Sequence, residues 1–394
     1  MSAHAFTLTP DLESFRDEVG SLARLELLPL EGLSSEGAIN HRLLRKLGDV
    51  GLLGALFPPE AIDASPEDRA RGRSGVSAMK LCLMREGMAT VCTEAETALA
   101  LQGLGAYPLL QAGSQELVQQ WIPGVAAGDV VASFALTEPD CGSDVAQLNC
   151  KAVACEGGWK ISGHKIFISN APHADFYTVF ARTTQDAGAK GVTAFFVPGD
   201  AEGLTGEHQP MISEHPIGRL YFDEVFVPEA HLLGEVDRGF QVAMRTLDLF
   251  RPSVGAFAVG MAEAALQLAI HRSAEREAFG RKIRDFQGIS FKLADMATRT
   301  EAARLLVYRA AAAFDAGVER NTRHAAMAKL FATETAQFVV DEAVQIFGGR
   351  ALERGHLLEH LYREVRAPRI YEGSSEIQRV IISRELQREV EDRS

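Results

Sequence analysis

A chain of 394 residues exceeds the size at which a single hydrophobic core usually stops growing, so two or three packed subdomains are expected. With 46% hydrophobic and 24% charged residues, its composition is that of a folded globular protein rather than a disordered or fibrous one. The net charge of -13, with no clustered run of Lys and Arg, repels phosphate backbones and anionic lipid and argues against nucleic acid or a membrane surface as partner.

The most apolar segment, around Val254 to Ile270, is interrupted by Glu263 and Gln267, so no membrane-spanning stretch is expected. The opening MSAHAFTLTPDLESF has neither a basic start followed by an apolar run nor the Arg-rich, acid-poor texture of a transit peptide, and a cytoplasmic location is expected. Cys82, Cys92, Cys141, Cys150 and Cys155 are odd in number and contain no C-x-x-C pair. Reduced, mostly buried thiols are therefore expected rather than a disulfide framework or zinc ribbon.

Up to about residue 130, apolar positions recur at helical spacing, with a break at Phe57-Pro58-Pro59. From about Val130 to Pro228 short β-branched and aromatic runs take over, among them Trp159-Lys160-Ile161, Phe176 to Phe180 and Val192 to Val197, which predict a small antiparallel β-domain. Helical periodicity returns after Phe240, with Val254, Phe257, Met261, Ala265 and Leu268 on one face and Phe286, Ile289, Leu293 and Met296 on another. One further helix ends at Phe347-Gly348-Gly349 and another begins near Ser374. A four-helix bundle would bury these stripes. The expected fold is mainly α with a central β-domain, divided as 1–130, 131–238 and 239–394.

Three segments carry candidate chemistry. Phe134 to Asp144 runs from a strand into a loop whose backbone amides and short polar side chains suit a ring system or a phosphate; taken alone it is an ordinary β-turn. Gly163 to Ala171 is a strand in which alternation places Phe167 and Ser169 on one side, an aromatic face beside a hydroxyl, which alone reads as a core aromatic and a solvated serine. In Ile370 to Arg379 a carboxylate, Glu372, precedes a Gly and a Ser at the entry to a helix. Ser374 is a natural N-cap there, and Glu372 by itself reads as a complement to the helix dipole.

Together, in this order and at these separations, the three segments resemble the acyl-CoA dehydrogenase family. Arg276-Glu277-Ala278-Phe279-Gly280, Phe286-Gln287-Gly288-Ile289-Ser290 and Val344 to Gly349 support the likeness, which covers nearly the whole chain after about residue 80. The resemblance implies a helical N-terminal domain, a central β-barrel or sandwich and a C-terminal four-helix bundle. It further implies FAD between the β-domain and the bundle, with Phe134, Leu136, Thr137, Gly142, Ser143, Phe167, Ile168 and Ser169 around the isoalloxazine and Ser374 and Glu376 near its other end. Gln287 would also bind the cofactor, and Arg276, Phe279, Gln345 and Gly349 would serve the FAD of a neighbouring subunit, so that a homodimer or homotetramer carries its cofactor at an interface. Electron transfer flavoprotein is the implied acceptor, with oxygen as the alternative.

The α C–H of a thioester is a weak acid, and its removal needs a placed base, donors for the enolate oxygen and an electron acceptor. The resemblance makes Glu372 the base, with flavin N5 as hydride acceptor, and lines the substrate pocket with Ser143, Asp248, Arg251, Tyr371 and Gly373. Burial should raise the carboxyl of Glu372. Some relatives carry the base just before an arginine corresponding to Arg251, where this chain has Phe250, which cannot accept a proton. The segment Ile212 to Phe222 departs from the family pattern, so a carrier-protein thioester is an alternative to acyl-CoA as substrate. His356-Leu357-Leu358-Glu359-His360 matches an H-x-x-E-H zinc pattern but has no evident third ligand, and no metal is expected. A reading of another class is a non-catalytic flavin-binding or interaction scaffold.

Overall fold

The computed structural model of the chain describes residues 8–70, 75–318 and 320–392. The first seven residues, part of the stretch read for a targeting signal, lie outside them. Among the described residues every element from Pro10 to Ala127 is helical, the first strand starts at Ala132, and helices resume at Gly239. By compactness the chain forms two units. One comprises residues 1–25, 77–96 and 248–394, and the other residues 26–76 and 97–247.

The second unit is built on an eight-stranded sheet: β1 Ala132–Ala135, β2 Lys151–Cys155, β3 Gly158–Ser169, β4 Phe176–Arg182, β5 Val192–Pro198, β6 Leu204–His208, β7 Ile217–Pro228 and β8 Leu232–Leu233. Its order is β6-β7-β3-β2-β4-β5-β8, with β1 alongside β4. The sheet is mixed rather than wholly antiparallel, because β1 and β2 both run parallel to β4. Strands β4 and β5 are buried along almost their whole length, which explains their continuous apolar runs. Phe176, Tyr177, Phe180, Phe195 and Phe196 are fully buried, and Trp121 packs at 5.6 Å and 5.0 Å from the rings of Phe176 and Phe196. Each such side chain contributes roughly 1.5–3 kcal/mol by leaving water.

The first unit is helical: Pro10–Leu22, Ala78–Ala89, the greater part of Gly239–Glu275, Gln287–Asp315, Thr322–Phe347, Leu357–Glu364 and Ser375–Glu391. The N-terminus of Ala78–Ala89 is satisfied from far along the chain, since the carboxylate of Asp315 accepts from the Ala78 and Met79 amides at 2.6 Å and 3.0 Å. Small residues let the helices close up: a Cβ on Gly255 would lie 2.7 Å from Val307, and one on Gly260 2.5 Å from the Glu86 carbonyl. Val254, Phe257, Met261 and Ala265 are buried as their stripe predicts, while Leu268 at its end is only partly buried. The second stripe is less covered, for Met296 alone of its four residues is fully buried. One expectation needs correcting. Helix Gly239–Glu275, with 37 residues, is long and apolar enough to cross a membrane by length and composition, but 78% of its apolar window is buried inside the protein, as for a core helix.

Candidate active site

Glu372 stands in the helical unit, between a short turn at Ala367–Arg369 and helix Ser375–Glu391. Its backbone is left-handed, with φ 52, and Gly373 follows at φ 90. For a glutamate this conformation costs about 1–2 kcal/mol, so something must hold it. The hold comes from three buried donors. Gln378 Nε2 donates to the Glu372 and Gly373 carbonyls at 3.2 Å and 2.9 Å, and Lys329 Nζ donates to the Gly373 carbonyl at 2.7 Å. Arg251 Nε approaches the Glu372 carbonyl at 3.5 Å. Gly373 is required as well, because a Cβ there would sit 2.6 Å from Gln378 Nε2.

The side chain of Glu372 is differently placed: its Oε2 is enclosed and has no hydrogen-bond partner among the described residues. Burial raises its carboxyl above the usual range, opposed first by the charge of Arg85 and then by Lys329 and Arg251. Arg85 is only 3% exposed. It contacts the carboxylate of Glu96 through Nε and donates from Nη1 to Ser253 Oγ at 2.8 Å. Burial pulls the Lys329 ammonium down to about 8. An unpaired carboxylate with a raised proton affinity, ringed by three cations, is equipped to take a proton from a weak acid and hold it.

The neighbouring candidates separate by role. Arg251 is buried and pairs with Asp248 at 3.0 Å, and Asp248 also accepts from Thr322 at 3.1 Å. The pair with Asp248 fixes the guanidinium that approaches the Glu372 carbonyl. Tyr371 keeps 37% of its surface exposed beside Glu372. Ser374 caps the last helix by accepting from the Ile377 amide at 3.4 Å. The Glu376 carboxyl is held low by its own amide and by the Ser374 hydroxyl, so both residues are engaged in starting that helix.

The remaining candidates of the first two segments meet in the sheet unit. After β1 the chain runs on beside β3: Ile166 donates to the Thr137 carbonyl at 3.0 Å, Asn170 Nδ2 to the Ala132 carbonyl at 2.9 Å, and Ser133 Oγ to the Ser169 carbonyl at 2.5 Å. Phe134, Leu136 and Thr137 thus lie along Phe167, Ile168 and Ser169. Simple alternation does not describe β3 here. A register shift between Lys165 and Ile168 and φ 54 at Phe167 turn that ring out, 49% exposed, while Ile168 is buried. The loop beyond is a tight turn closed by Glu138 and Cys141, and it is anchored by a buried pair, Lys165 Nζ to Glu138 Oε1 at 2.8 Å. Lys165 also donates to the Leu136 carbonyl at 2.9 Å, while Glu138 accepts from the Asn149 and Cys150 amides. Gly142 and Ser143 are exposed, and a Cβ on Gly142 would meet open space. A half-exposed aromatic face, hydroxyls at Thr137, Ser143 and Ser169, and a bare glycine fit a planar ring system with carbonyl and nitrogen acceptors, such as a flavin.

Arg276, Phe279, Gln287, Gln345 and Gly349 all lie on the surface of the helical unit. Phe279 heads a two-residue turn with Gly280, both at positive φ (52 and 78), and its ring is 96% exposed. His356 is the N-cap of helix Leu357–Glu364, its Nδ1 accepting from the Leu358 amide at 3.1 Å, and His360 contacts Thr93 at 2.6 Å. Reading the sequence did not single out Lys329, Gln378, Arg85 or Glu96. The available signal was a lone charged or amide side chain on an otherwise apolar helix face, as for Lys329 among Ala325, Ala326, Ala328 and Ala332.

Each unit thus carries one part of a redox chemistry: an enclosed carboxylate in the helical unit and a surface suited to a planar cofactor in the sheet unit. The family models for the acyl-CoA dehydrogenase N-terminal, middle and C-terminal domains match residues 9–129, 133–225 and 237–387. The cyclohexane-1-carbonyl-CoA dehydrogenase of Geobacter metallireducens is 36% identical over 388 residues, 98% of this chain and 99% of its own. A subunit named CarC of a caffeyl-CoA reductase-Etf complex from Acetobacterium woodii is 35% identical over 358 residues, 90% of this chain and 92% of its own. The butyryl-CoA dehydrogenase structure from Megasphaera elsdenii superimposes with a TM-score of 0.88 at 33% identity, covering 97% of this chain and 99% of that one. The chain belongs to the acyl-CoA dehydrogenase family, and with it goes an FAD-dependent dehydrogenation of acyl-CoA.

Proposed function

We propose that Glu372 is the base that removes the α-proton of the acyl-CoA. The observation that carries this reading is the enclosed, unpartnered Oε2 of a residue held left-handed by buried donors. FAD, when bound, supplies the acceptor for the β-hydride. On the chain's side, the Glu372 amide stands ready for the thioester oxygen as charge develops on it, and burial keeps water from competing for the carboxylate. Arg251 and Lys329 brace that residue from its carbonyl side and limit how far burial raises its carboxyl. In the sheet unit, Thr137, Ser143 and Ser169 with the ring of Phe167 would hold the flavin.

The strained, exposed turn at Phe279, with Arg276 beside it and Gln345 and Gly349 on the same unit's surface, supports a homodimer or homotetramer. In that assembly these residues reach the cofactor of a second copy. A guanidinium there can pair with a diphosphate. Electron transfer flavoprotein is the proposed electron acceptor, supported by the name of the Acetobacterium relative. Mostly buried cysteines and a net charge of -13 fit a cytoplasmic enzyme of fatty acid metabolism.

The test is anaerobic bleaching of the purified yellow protein with a panel of acyl-CoA and acyl-carrier thioesters. Glu372→Gln should keep its FAD and lose flavin reduction by at least about 100-fold. Wild-type reduction in that variant moves the base elsewhere.

A further inference from the structure

Lys329 is completely buried in the N-terminal half of helix Thr322–Phe347, where the buried residues nearest it along the helix are Ala325, Ala326, Ala328, Ala332 and Thr333. An ammonium among such neighbours is costly unless its position has a use. Its hydrogen bond runs to the Gly373 carbonyl at 2.7 Å, one peptide beyond the base, and that carbonyl also accepts from the fully buried Gln378 at 2.9 Å. The two donors converge on the pair of peptides whose φ values, 52 and 90, aim the Glu372 side chain.

We propose that Lys329 is a positioning residue for the base: its ammonium pins the Glu372–Gly373 peptides in their left-handed conformation, so that the carboxylate is delivered at one place and angle. The proposal rests on the reading of Glu372 as base. It assigns Lys329 no contact with substrate.

The charged groups that act on Lys329 are Glu372 and Glu376 from the loop and last helix, Arg251 from helix Gly239–Glu275, and Glu334 on its own helix. Burial outweighs the carboxylates and brings the ammonium down to about 8. Below that pH the clamp is charged. Above it the amine is neutral and its bond to the carbonyl weakens, so the rate of proton removal should decline as pH rises through about 8.

The experiment is anaerobic stopped-flow flavin reduction from about pH 6 to about pH 10, using whichever acyl-CoA of the panel bleaches the holoenzyme fastest. The wild type should show the alkaline decline in its limiting rate. Lys329→Met should lower that rate by about 10- to 100-fold with little change in half-saturation, and should lose the decline. Lys329→Arg should recover part of the rate and move the decline to higher pH, because a guanidinium stays protonated. Flavin content and thermal midpoint should match the wild type in both variants. The proposal is overturned by any of three results: a wild-type profile flat through pH 8, which needs no variant; a wild-type rate in Lys329→Met; or equal losses in Met and Arg variants accompanied by lower flavin content and midpoint, which mark a structural role only. Glu372→Gln reducing flavin at the wild-type rate would instead remove the base reading itself, whatever Lys329 does.

Discussion

Replacing Arg85 with methionine removes a cation from a place that water hardly reaches. Arg85 is 3% exposed and its partner Glu96 0%, and the substitution deletes both the contact to Glu96 and the 2.8 Å bond to Ser253. Stripping a buried carboxylate of its cation costs about 3–5 kcal/mol, and the lost hydrogen bond to Ser253 adds about 1 kcal/mol. At about 2–4 °C per kcal/mol, the thermal midpoint of Arg85→Met should fall by roughly 10–20 °C. Neutralising the partner as well, in Arg85→Met/Glu96→Gln, leaves no buried charge to compensate and should restore about 2–4 kcal/mol. Urea and thermal melts of the four proteins at neutral pH close the cycle. Additive effects of the two substitutions, or a single-variant loss under about 1 kcal/mol, would refute the reasoning. The same variants report on chemistry, because Arg85 is the largest of the charges opposing burial at Glu372. Without it Glu372, the proposed base, holds its proton to higher pH, so the acid limb of kcat/KM in the folded double variant should move upward; an unmoved limb would mean that Arg85 does not act on Glu372.

Two further outcomes follow from geometry. Lys165→Met leaves the 5% exposed Glu138 without its ammonium and the Leu136 carbonyl without that donor. It should destabilise the sheet unit by about 3–5 kcal/mol and lower the flavin-to-protein ratio after gel filtration, and a wild-type ratio would detach this pair from cofactor binding. Phe279→Asp alters a ring that is 96% exposed, so its stability should stay within about 0.5 kcal/mol of the wild type while sedimentation velocity shows a smaller assembly. An unchanged assembly would exclude that turn from the subunit contact.

What the sequence made legible were features carried by local pattern. The change from helical to strand texture near Ala132, the return to helix at Gly239, the stop at Gly348 and the cap at Ser374 each rest on a few consecutive side chains. Glu372 was singled out because the segment around it, taken with the other two, carries the family likeness. Of its supports, Arg251 was named only through the family likeness, and Arg85 and Lys329 were not named: the three come from helices 121, 287 and 43 residues before it, by difference of their numbers, and no local pattern records that they converge. The conformations of Phe167 and Phe279 were hidden for another reason. Left-handed backbone at an aromatic residue contradicts its intrinsic preference, and only the surrounding register shift and turn impose it.

The five thiols amount to a set of internal reporters. Cys82 and Cys92 are buried in the helical unit, Cys141 and Cys150 in the sheet unit, and Cys155 is partly open. Burial raises the Cys82 and Cys141 thiols and takes Cys150 up to about 11. An alkylating reagent attacks a thiolate it can reach, so these groups stay silent until the fold around them opens. Labelling followed peptide by peptide would time the opening of each unit separately within one molecule, with Cys155 marking the start.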